Sequence, residues 1–172
     1  MRESLPVDTF LISRYAIGMD ALMPYYSYQQ ADSSKQLETA LKEVLHTTSL
    51  RPYVVKNATT LDTALGEGIR KGITITAPGF YAPQGRQLRA ISTHKNFLES
   101  IQKVRTVPIV GLPITNLEME TAGIYGLAKA LGHEAISFNA LLANRVSGKF
   151  SKHPQKAVDR LVELVLSRIT KA

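Results

Sequence analysis

The sequence contains no cysteine and no tryptophan among its 172 residues. Without cysteine the chain forms neither disulfide bonds nor thiolate metal sites, which fits a reducing compartment. It also lacks any run of 18 or more apolar residues, the length that a membrane-spanning helix needs. The first residues, Met-Arg-Glu-Ser-Leu-Pro, are not followed by the apolar core of a signal peptide. We therefore expect a cytoplasmic protein with no membrane contact and no bound metal.

Acidic residues are outnumbered by basic ones, and the formal net charge is +7. The excess is concentrated between Arg145 and Ala172, which contain seven Lys or Arg residues and two acids. Such a charge raises the question of an anionic partner, including nucleic acid. Aromatic residues do not alternate with these cations, as stacking on bases requires. A solvated helix face is therefore the favoured interpretation, and a nucleic-acid binder is kept as an alternative.

Strand and helix patterns alternate along the chain. Apolar and β-branched runs predict strands at Val7–Ser13, Pro52–Lys56, Gly72–Thr76 and Ala135–Ala143. Apolar stripes of helical period predict helices from Ser33 or Ser34 to about His46, over Thr59–Ala64, over His94–Val104, from about Leu117 to Leu131, and from Pro154 onward. Gly, Pro and Tyr predict a loop over Ala16–Tyr28. The alternation predicts one α/β domain over residues 1–172, with a mixed, mostly buried central β-sheet flanked by helices.

Two of these segments carry strong apolar patterns. Ala135–Ala143 is almost continuously apolar, which is typical of a strand that is buried on both faces. The last helix begins with Pro at its first position. Its predicted core stripe consists of Val158, Leu161, Val162, Val165, Leu166 and Ile169.

Two carboxylates flank a methionine at the predicted start of the fourth helix. Asn116 is a good N-cap residue, and acids in a first turn suit the positive end of a helix dipole, which accounts for Glu118 and Glu120 structurally. A ligand site is the other interpretation. Carboxylates accept hydrogen bonds from hydroxyl groups, and Met119 offers an apolar surface beside them. A sugar presents this combination of hydroxyls and an apolar ring face.

Polar residues also follow two of the predicted strands, where α/β folds place ligand loops. After the Gly72–Thr76 strand, Phe80 can stack on a flat ring, while Gln84 and Arg86 offer an acceptor and several donors to its edge. Asn144 and Arg145 follow the predicted strand at Ala135–Ala143. An ordinary surface loop and a strand end turning into solvent are the alternatives for these two stretches.

Together the three stretches resemble the uridine phosphorylases, which are members of the wider nucleoside phosphorylase family. The sequences Phe80-Tyr81-Ala82-Pro83-Gln84-Gly85-Arg86, Asn116-Leu117-Glu118-Met119-Glu120-Thr121-Ala122 and Ala143-Asn144-Arg145 stand in that family's order and roughly its spacing. The Glu-Met-Glu signature is shared across the family, and the Phe-Tyr-x-x-Gln-x-Arg loop is more specific to the uridine branch. The resemblance extends from about Pro6 to Ile169.

The resemblance implies a pentosyltransferase of pyrimidine salvage. Such an enzyme uses inorganic phosphate to cleave the N-glycosidic bond of a uridine-like nucleoside, yielding a base and ribose 1-phosphate, with no cofactor. It further implies that Gln84 and Arg86 hold the base edge, Phe80 packs on the ring, Met119 packs beneath the sugar, and Glu120 binds the ribose hydroxyls with Glu118 beside it. Arg86, Glu120 and Arg145 would carry the catalysis.

Other members of the family suggest alternatives to this substrate and reaction. Purine-cleaving relatives carry an acid where this chain has Asn144, and an amide cannot protonate a purine, so a pyrimidine substrate is favoured. Complete members also have a preceding segment that supplies the phosphate loop, so the chain is expected to match their C-terminal part, with a homo-oligomer completing the site. A nucleosidase, a purine phosphorylase and a non-catalytic nucleoside-binding fragment remain the alternatives.

Overall fold

The computed structural model describes residues 5–45, 51–94, 97, 99–100 and 110–171. The strands in these ranges are β1 (Phe10–Gly18), β2 (Tyr53–Lys56), β3 (Arg70–Thr76), β4 (Ile114–Glu118), β5 (Phe138–Ala140), β6 (Ala143–Asn144) and β7 (Lys149–Phe150). The helices are α1 (Asp32–Leu45), α2 (Thr59–Leu65), α3 (Thr121–Ala130) and α4 (Pro154–Ile169), with short 3-10 turns at Met23–Tyr25 and Ala82–Gln84. None of the helices in the described ranges is long and apolar enough to cross a membrane.

The central sheet is mixed, as the alternation predicts. Its strand order is β2-β1-β3-β4, and β5 also pairs with β1. The β1–β3 and β3–β4 pairs are parallel, whereas β2 and β5 run antiparallel to β1. Because β2 pairs with the second half of β1 and β5 with the first half, the two share one side of that strand. Because β3 and β4 are parallel neighbours, their carboxyl ends lie together at one edge of the sheet.

Helices cover both faces of this sheet. On one face, Leu37 and Leu41 of α1 pack with Ile17, Ile73 and other buried residues of the strands. On the opposite face, α3 contributes Ala122 and Tyr125 to a cluster that includes Ala16, Met23, Tyr53 and Val55. Side chains alternate between faces along a strand, so neighbouring β1 residues supply both clusters. The α/β class and the mixed sheet flanked by helices are thus confirmed.

The first strand begins and ends later than predicted. It runs over Phe10–Gly18 rather than Val7–Ser13, so the predicted loop over Ala16–Tyr28 is wrong in its first three residues. Asp8 has a φ of +63°, which places it in a turn and not in an extended strand. The residues after Ser13 stay in the sheet because Tyr15–Gly18 pair with both β2 and β3.

The helix predicted from Leu117 begins instead at Thr121. Ile114–Glu118 form a strand parallel to β3, so Asn116 is not an N-cap and Glu118 is not in a helix. The Asn116 amide is buried and bonds to Thr74 and Asn139 from other strands, which is why it favours the sheet. The predicted end is correct, since the helix stops before Gly132, which has a φ of +74°.

The predicted strand over Ala135–Ala143 is mostly wrong. Only Phe138–Ala140 pair with β1, and they are half-buried rather than buried on both faces. The backbone around them is satisfied in other ways, because the carbonyl groups of Ala135 and Ser137 accept the N–H groups of Ala58 and Ser13. Isolated bonds of this kind hold an apolar segment against the sheet without extending the strand ladder.

The core stripe predicted for the last helix is too wide. Ala157 and Leu161 are the buried residues of α4, which contacts β5 and α2. Val162, Leu166 and Ile169 remain about half exposed, at 50%, 56% and 54%. The other helices and the two early strands after β1 lie within a few residues of their predicted bounds. Most of the predicted His94–Val104 helix and the predicted end at His46 fall outside the described residues; Phe97, Glu99 and Ser100 are helical.

Candidate functional site

One cavity of about 360 Å³, which we call the site cavity, opens beside the carboxyl ends of β3 and β4. Ligand crevices in α/β folds commonly occupy this position. All eight residues singled out from the sequence line it, together with neighbours from β4, β5 and β6: Phe80, Gln84, Arg86, Glu118, Met119, Glu120, Asn144 and Arg145. The expectation that the acidic stretch and the Gln/Arg loop share one hollow is therefore correct.

The turn between β4 and α3 is held by Glu118. Its Oε2 accepts the backbone N–H groups of Glu120 and Thr121, both at 2.8 Å, which satisfies donors at the start of α3. Its Oε1 accepts the hydroxyl of Thr76 at 2.5 Å, and that hydroxyl in turn accepts the N–H of Ala122 at 2.9 Å. Glu118 thus lines the cavity while acting as a structural clamp between β3, β4 and α3.

The next two residues of the turn are exposed. Met119 is 41% exposed, and Glu120 is also on the surface of the cavity. The side chain of Glu120 makes a single protein hydrogen bond within the described ranges, in which Oε2 accepts the N–H of Met119 at 3.2 Å. Since that bond engages one of its two oxygens, this carboxylate can accept hydroxyl groups from a ligand.

A compact loop after β3 presents the second group of site residues. The 3-10 turn Ala82–Gln84 ends at Gly85, whose φ of +71° favours glycine because a Cβ would strain this conformation. The turn lets Arg86 fold back, so that its Nη1 donates to the Phe80 carbonyl at 2.5 Å and to Gln84 Oε1 at 2.6 Å. Its guanidinium also lies 3.7 Å from the centre of the Phe80 ring.

Arg145, which directly follows β6, also contacts this loop. Its Nη1 donates to the backbone carbonyl of Gln84 at 2.6 Å, which brings two guanidinium groups to one residue. Desolvation lowers the pKa of Arg145, and repulsion from Arg86 lowers it further. Neither arginine forms an ion pair with a carboxylate in the part of the chain that the structure describes. The cavity thus has a cationic end at Gln84 and an anionic end at Glu120.

Asn144 lines the cavity but is engaged with the backbone. Its Nδ2 donates to the Leu5 carbonyl at 2.7 Å, and its Oδ1 accepts the N–H groups of Val146 and Ser147 at 3.0 and 3.2 Å. These bonds close the turn that leads from β6 into β7. Asn144 therefore has a clear structural role, which also fixes the start of the segment that carries Arg145.

A closed ring of hydrogen bonds lies beneath the cavity and was not predicted from the sequence. Ser13 donates to Thr74, Thr74 to Asn116, Asn116 to Asn139, and Asn139 back to Ser13, at 2.5, 2.9, 3.3 and 2.8 Å. The direction from Ser13 to Thr74 follows because the single Thr74 proton goes to Asn116. Each member both donates and accepts, so four strands are joined by one cooperative network. Ser13, Thr74 and Asn139 interrupt apolar strand patterns, which is the signal that could have revealed the ring.

The described residues contain no group of three or more His, Asp or Glu side chains that could hold a metal ion. The site is built instead from hydrogen-bonding groups, two cations and an apolar ring. Such an arrangement can bind a neutral molecule that is polar at both ends and flat or apolar between them.

Comparison with known proteins finds a relative in sequence and several solved structures with a similar fold. A 34% identical stretch of 96 residues matches a uridine phosphorylase of Thermococcus kodakarensis, covering 54% of this chain and 32% of that protein. Among solved structures, a nucleoside phosphorylase of Trypanosoma brucei with uridine phosphorylase activity superposes with a TM-score of 0.83 at 23% identity, over 99% of this chain and 60% of that one. The chain thus spans a third to three fifths of the length of these relatives.

Two further solved structures share the fold. A uridine phosphorylase of the oomycete Phytophthora capsici has a TM-score of 0.59 at 18% identity, over 99% of this chain and 62% of that one. Isoform 2 of the Schistosoma mansoni uridine phosphorylase gives 0.60 at 20% identity, over 98% and 56%. The family model described as "Phosphorylase superfamily" matches residues 1–171. On these grounds the chain belongs to the phosphorylase superfamily.

Proposed function

We propose that the chain forms the nucleoside-binding part of a uridine phosphorylase-like pentosyltransferase. In the proposed reaction, inorganic phosphate attacks C1′ of the nucleoside, the N-glycosidic bond breaks, and its electron pair leaves with the base. The products are ribose 1-phosphate and a free pyrimidine. The single observation that carries this proposal is the site cavity itself, which has two guanidinium groups at one end and a carboxylate at the other.

The cationic end suits a pyrimidine base. Gln84 is 95% buried, and its Nε2 has no hydrogen-bond partner within the described ranges, so it can donate to a base carbonyl. Phe80 offers a ring face, and Arg86 and Arg145 lie where negative charge would develop on the leaving base. Preorganised donors of this kind contribute roughly 3 kcal/mol each to transition-state stabilisation.

The anionic end suits the sugar. Glu120 has an oxygen available for ribose hydroxyl groups, and Met119 supplies an apolar surface for the ring. Positive charge develops on the sugar as the glycosidic bond breaks, and a nearby carboxylate stabilises it. Glu118 acts in this proposal as a positioning residue, because its bonds to the N–H groups of Glu120 and Thr121 set the orientation of the turn.

The substrate preference rests on Asn144 and on the loop of Gln84. Asn144 is a neutral amide whose side chain is held by Leu5, Val146 and Ser147, so it supplies no proton to a purine ring. The Gln84 amide offers both a donor and an acceptor, which matches the imide edge of uracil. These features favour a pyrimidine nucleoside over a purine nucleoside.

Inorganic phosphate is the proposed co-substrate, and we place the activity in pyrimidine salvage in the cytoplasm. We also propose a homo-oligomer. Tyr25 is 84% exposed and Tyr26 is 49% exposed, and a pair of exposed tyrosines suits a subunit contact.

The test is an assay of the full chain with uridine, thymidine and inosine, each with and without phosphate. We expect phosphate-dependent release of uracil, and slower or no release of hypoxanthine. Release that is independent of phosphate would identify a nucleosidase, and a preference for inosine would identify a purine phosphorylase. Calorimetry with uridine and uracil covers the remaining case: binding without turnover would identify a nucleoside-binding module, and the absence of both would refute the proposal.

A further inference from the structure

Arg145 lies in a short hairpin that has little support of its own. The strands β6 and β7 contain two residues each and form a separate two-stranded sheet. An isolated hairpin of this kind is at best marginally stable in water. Val146, Lys149 and Phe150 are exposed, so the burial of apolar surface adds little to the stability of the hairpin. Other contacts must therefore set the position of Arg145.

The guanidinium group of Arg145 has a weak anchor. Within the described ranges its side chain makes one hydrogen bond, to the Gln84 carbonyl, and no ion pair. Desolvation lowers the pKa of Arg145, and repulsion from Arg86 lowers it further. A long arginine side chain also loses rotamer freedom when it is fixed in one position. A guanidinium that is both repelled and flexible stays at the cavity only if the backbone that carries it is rigid.

The side chain of Asn144 makes this backbone rigid. Its Oδ1 accepts the N–H groups of Val146 and Ser147 at 3.0 and 3.2 Å, so the turn closes around Arg145. Asparagine commonly closes turns in this way. Asn144 is 7% exposed, so water competes little for these hydrogen bonds.

The amide nitrogen of Asn144 connects the turn to the core. Its Nδ2 donates to the Leu5 carbonyl at 2.7 Å. Leu5 is 2% exposed and packs with Leu11 and Leu141 in a buried cluster. One side chain thus joins the exposed hairpin that carries Arg145 to a buried part of the molecule.

From these contacts we propose that Asn144 is a positioning residue, which sets the affinity of the site cavity for a base by holding Arg145 and not by contacting the base. That the ligand is a pyrimidine base rests on the proposed function. Because both polar atoms of the Asn144 side chain face backbone groups, an acid in its place would face the Leu5 carbonyl and not a purine ring.

The test is a double-mutant cycle on the full chain, with uracil affinity measured by calorimetry. Asn144→Ala and Arg145→Gln should each weaken uracil binding by about tenfold, and the double variant should bind as weakly as Arg145→Gln alone. Gln36→Ala, on the exposed face of α1, is the control and should leave uracil affinity unchanged. Losses that multiply to about a hundredfold would overturn the proposal, because Asn144 would then act independently of Arg145.

A measurement without ligand separates this proposal from the proposed function. In ¹H–¹⁵N NMR spectra the Arg145 Nε–H should give a resolved, slowly exchanging signal, which Asn144→Ala should move to the position of exposed arginines. Asn144→Ser keeps a weaker acceptor for the turn and provides the same test if the alanine variant does not fold. An unchanged Arg145 signal in the folded variant would refute the positioning role. If the parent does not bind uracil, the proposed function fails, and the Arg145 signal still decides the role of Asn144.

Asn144→Asp tests the alternative in which residue 144 contacts the base. Aspartate keeps an acceptor for the N–H groups of Val146 and Ser147, but its carboxylate has no donor for the Leu5 carbonyl. We expect weaker uracil binding and no gain in affinity for hypoxanthine in calorimetry. A gain in hypoxanthine affinity would show that residue 144 reaches the base, contrary to the proposal.

Discussion

The clamp that Thr76 and Glu118 form between β3, β4 and α3 can be tested by one substitution, Thr76→Val. Valine keeps the shape of threonine and removes only the hydroxyl, which donates to Glu118 and accepts the N–H of Ala122. Ala122 and Thr76 are both fully buried, so the Ala122 N–H loses its acceptor with no access to water. Glu118 is half-buried and can recover solvation from the cavity.

The expected cost follows from this asymmetry. A fully buried donor left without a partner costs about 1–3 kcal/mol, and the partly solvated carboxylate adds less, so we expect Thr76→Val to lower the free energy of unfolding by about 2–3 kcal/mol. Thr76→Ser keeps the hydroxyl and loses one methyl group, which costs about 1 kcal/mol. Thr63→Val removes an exposed hydroxyl on α2 and should stay within about 0.5 kcal/mol.

Urea denaturation of the full chain measures all three variants. The valine variant should be the least stable, followed by the serine variant and then the α2 control. Calorimetry adds a second readout, because loosening the Glu118–Glu120 turn should weaken uridine binding more than uracil binding. If Thr76→Val were as stable as Thr76→Ser, the reasoning that the hydroxyl clamps three elements would be refuted, whatever the ligand results.

Four further predictions concern the site, the hydrogen-bond ring and pH. Glu120→Gln should weaken uridine binding while leaving uracil affinity nearly unchanged in calorimetry, with Glu163→Gln on α4 as an inert control; equal losses for both ligands would contradict the role of Glu120. Arg86→Ala should lower kcat more than it raises KM, because its charge complements the departing base, and an unchanged kcat would contradict this. Ser13→Ala opens the ring and should cost about 1–3 kcal/mol in urea denaturation; a loss below about 0.5 kcal/mol would show that the ring adds no stability. Burial raises the pKa of Tyr125, so above pH 10 the folded chain binds more protons than the unfolded chain. The free energy of unfolding of the chain should therefore fall as pH rises from 9 to 11, and it should fall less steeply in Tyr125→Phe. Identical pH slopes for the parent and Tyr125→Phe would exclude this contribution.

Sequence patterns predicted those parts of the fold whose signals are local. The helices α1 and α2 and the strands β2 and β3 carry period and breaker residues within their own bounds, and the structure places them close to the prediction. The segments that were misplaced depend on distant partners. Asn116 is as suitable for an N-cap as for a buried sheet network, and its partners Thr74 and Asn139 lie 42 and 23 residues away. No pattern within one window distinguishes these two uses.

The eight candidate residues lie around one cavity as expected, although several strand bounds near them were misplaced, and this has a physical reason. Polar residues that follow apolar strands are costly to bury, so they lie where the parallel strands end. The strand ends meet at one edge of the sheet, and this brings the polar residues together. The grouping holds even when the predicted end of a strand is wrong by a few residues. The sequence thus predicted the set of residues around the site cavity without knowing that Glu118 ends a strand.

The sequence did not show which role each residue of that set has. Glu118 and Glu120 are the same residue type and lie two positions apart. Their roles differ because the backbone directs the two carboxylates to different groups. The backbone turns after Glu118, so its carboxylate faces the N–H groups at the start of α3, while the carboxylate of Glu120 bonds only to the N–H of Met119 within the described ranges. One acid therefore stabilises the turn that presents the other. Under the proposed function, we therefore expect both acids of the signature to be needed for binding, although only Glu120 would contact the sugar.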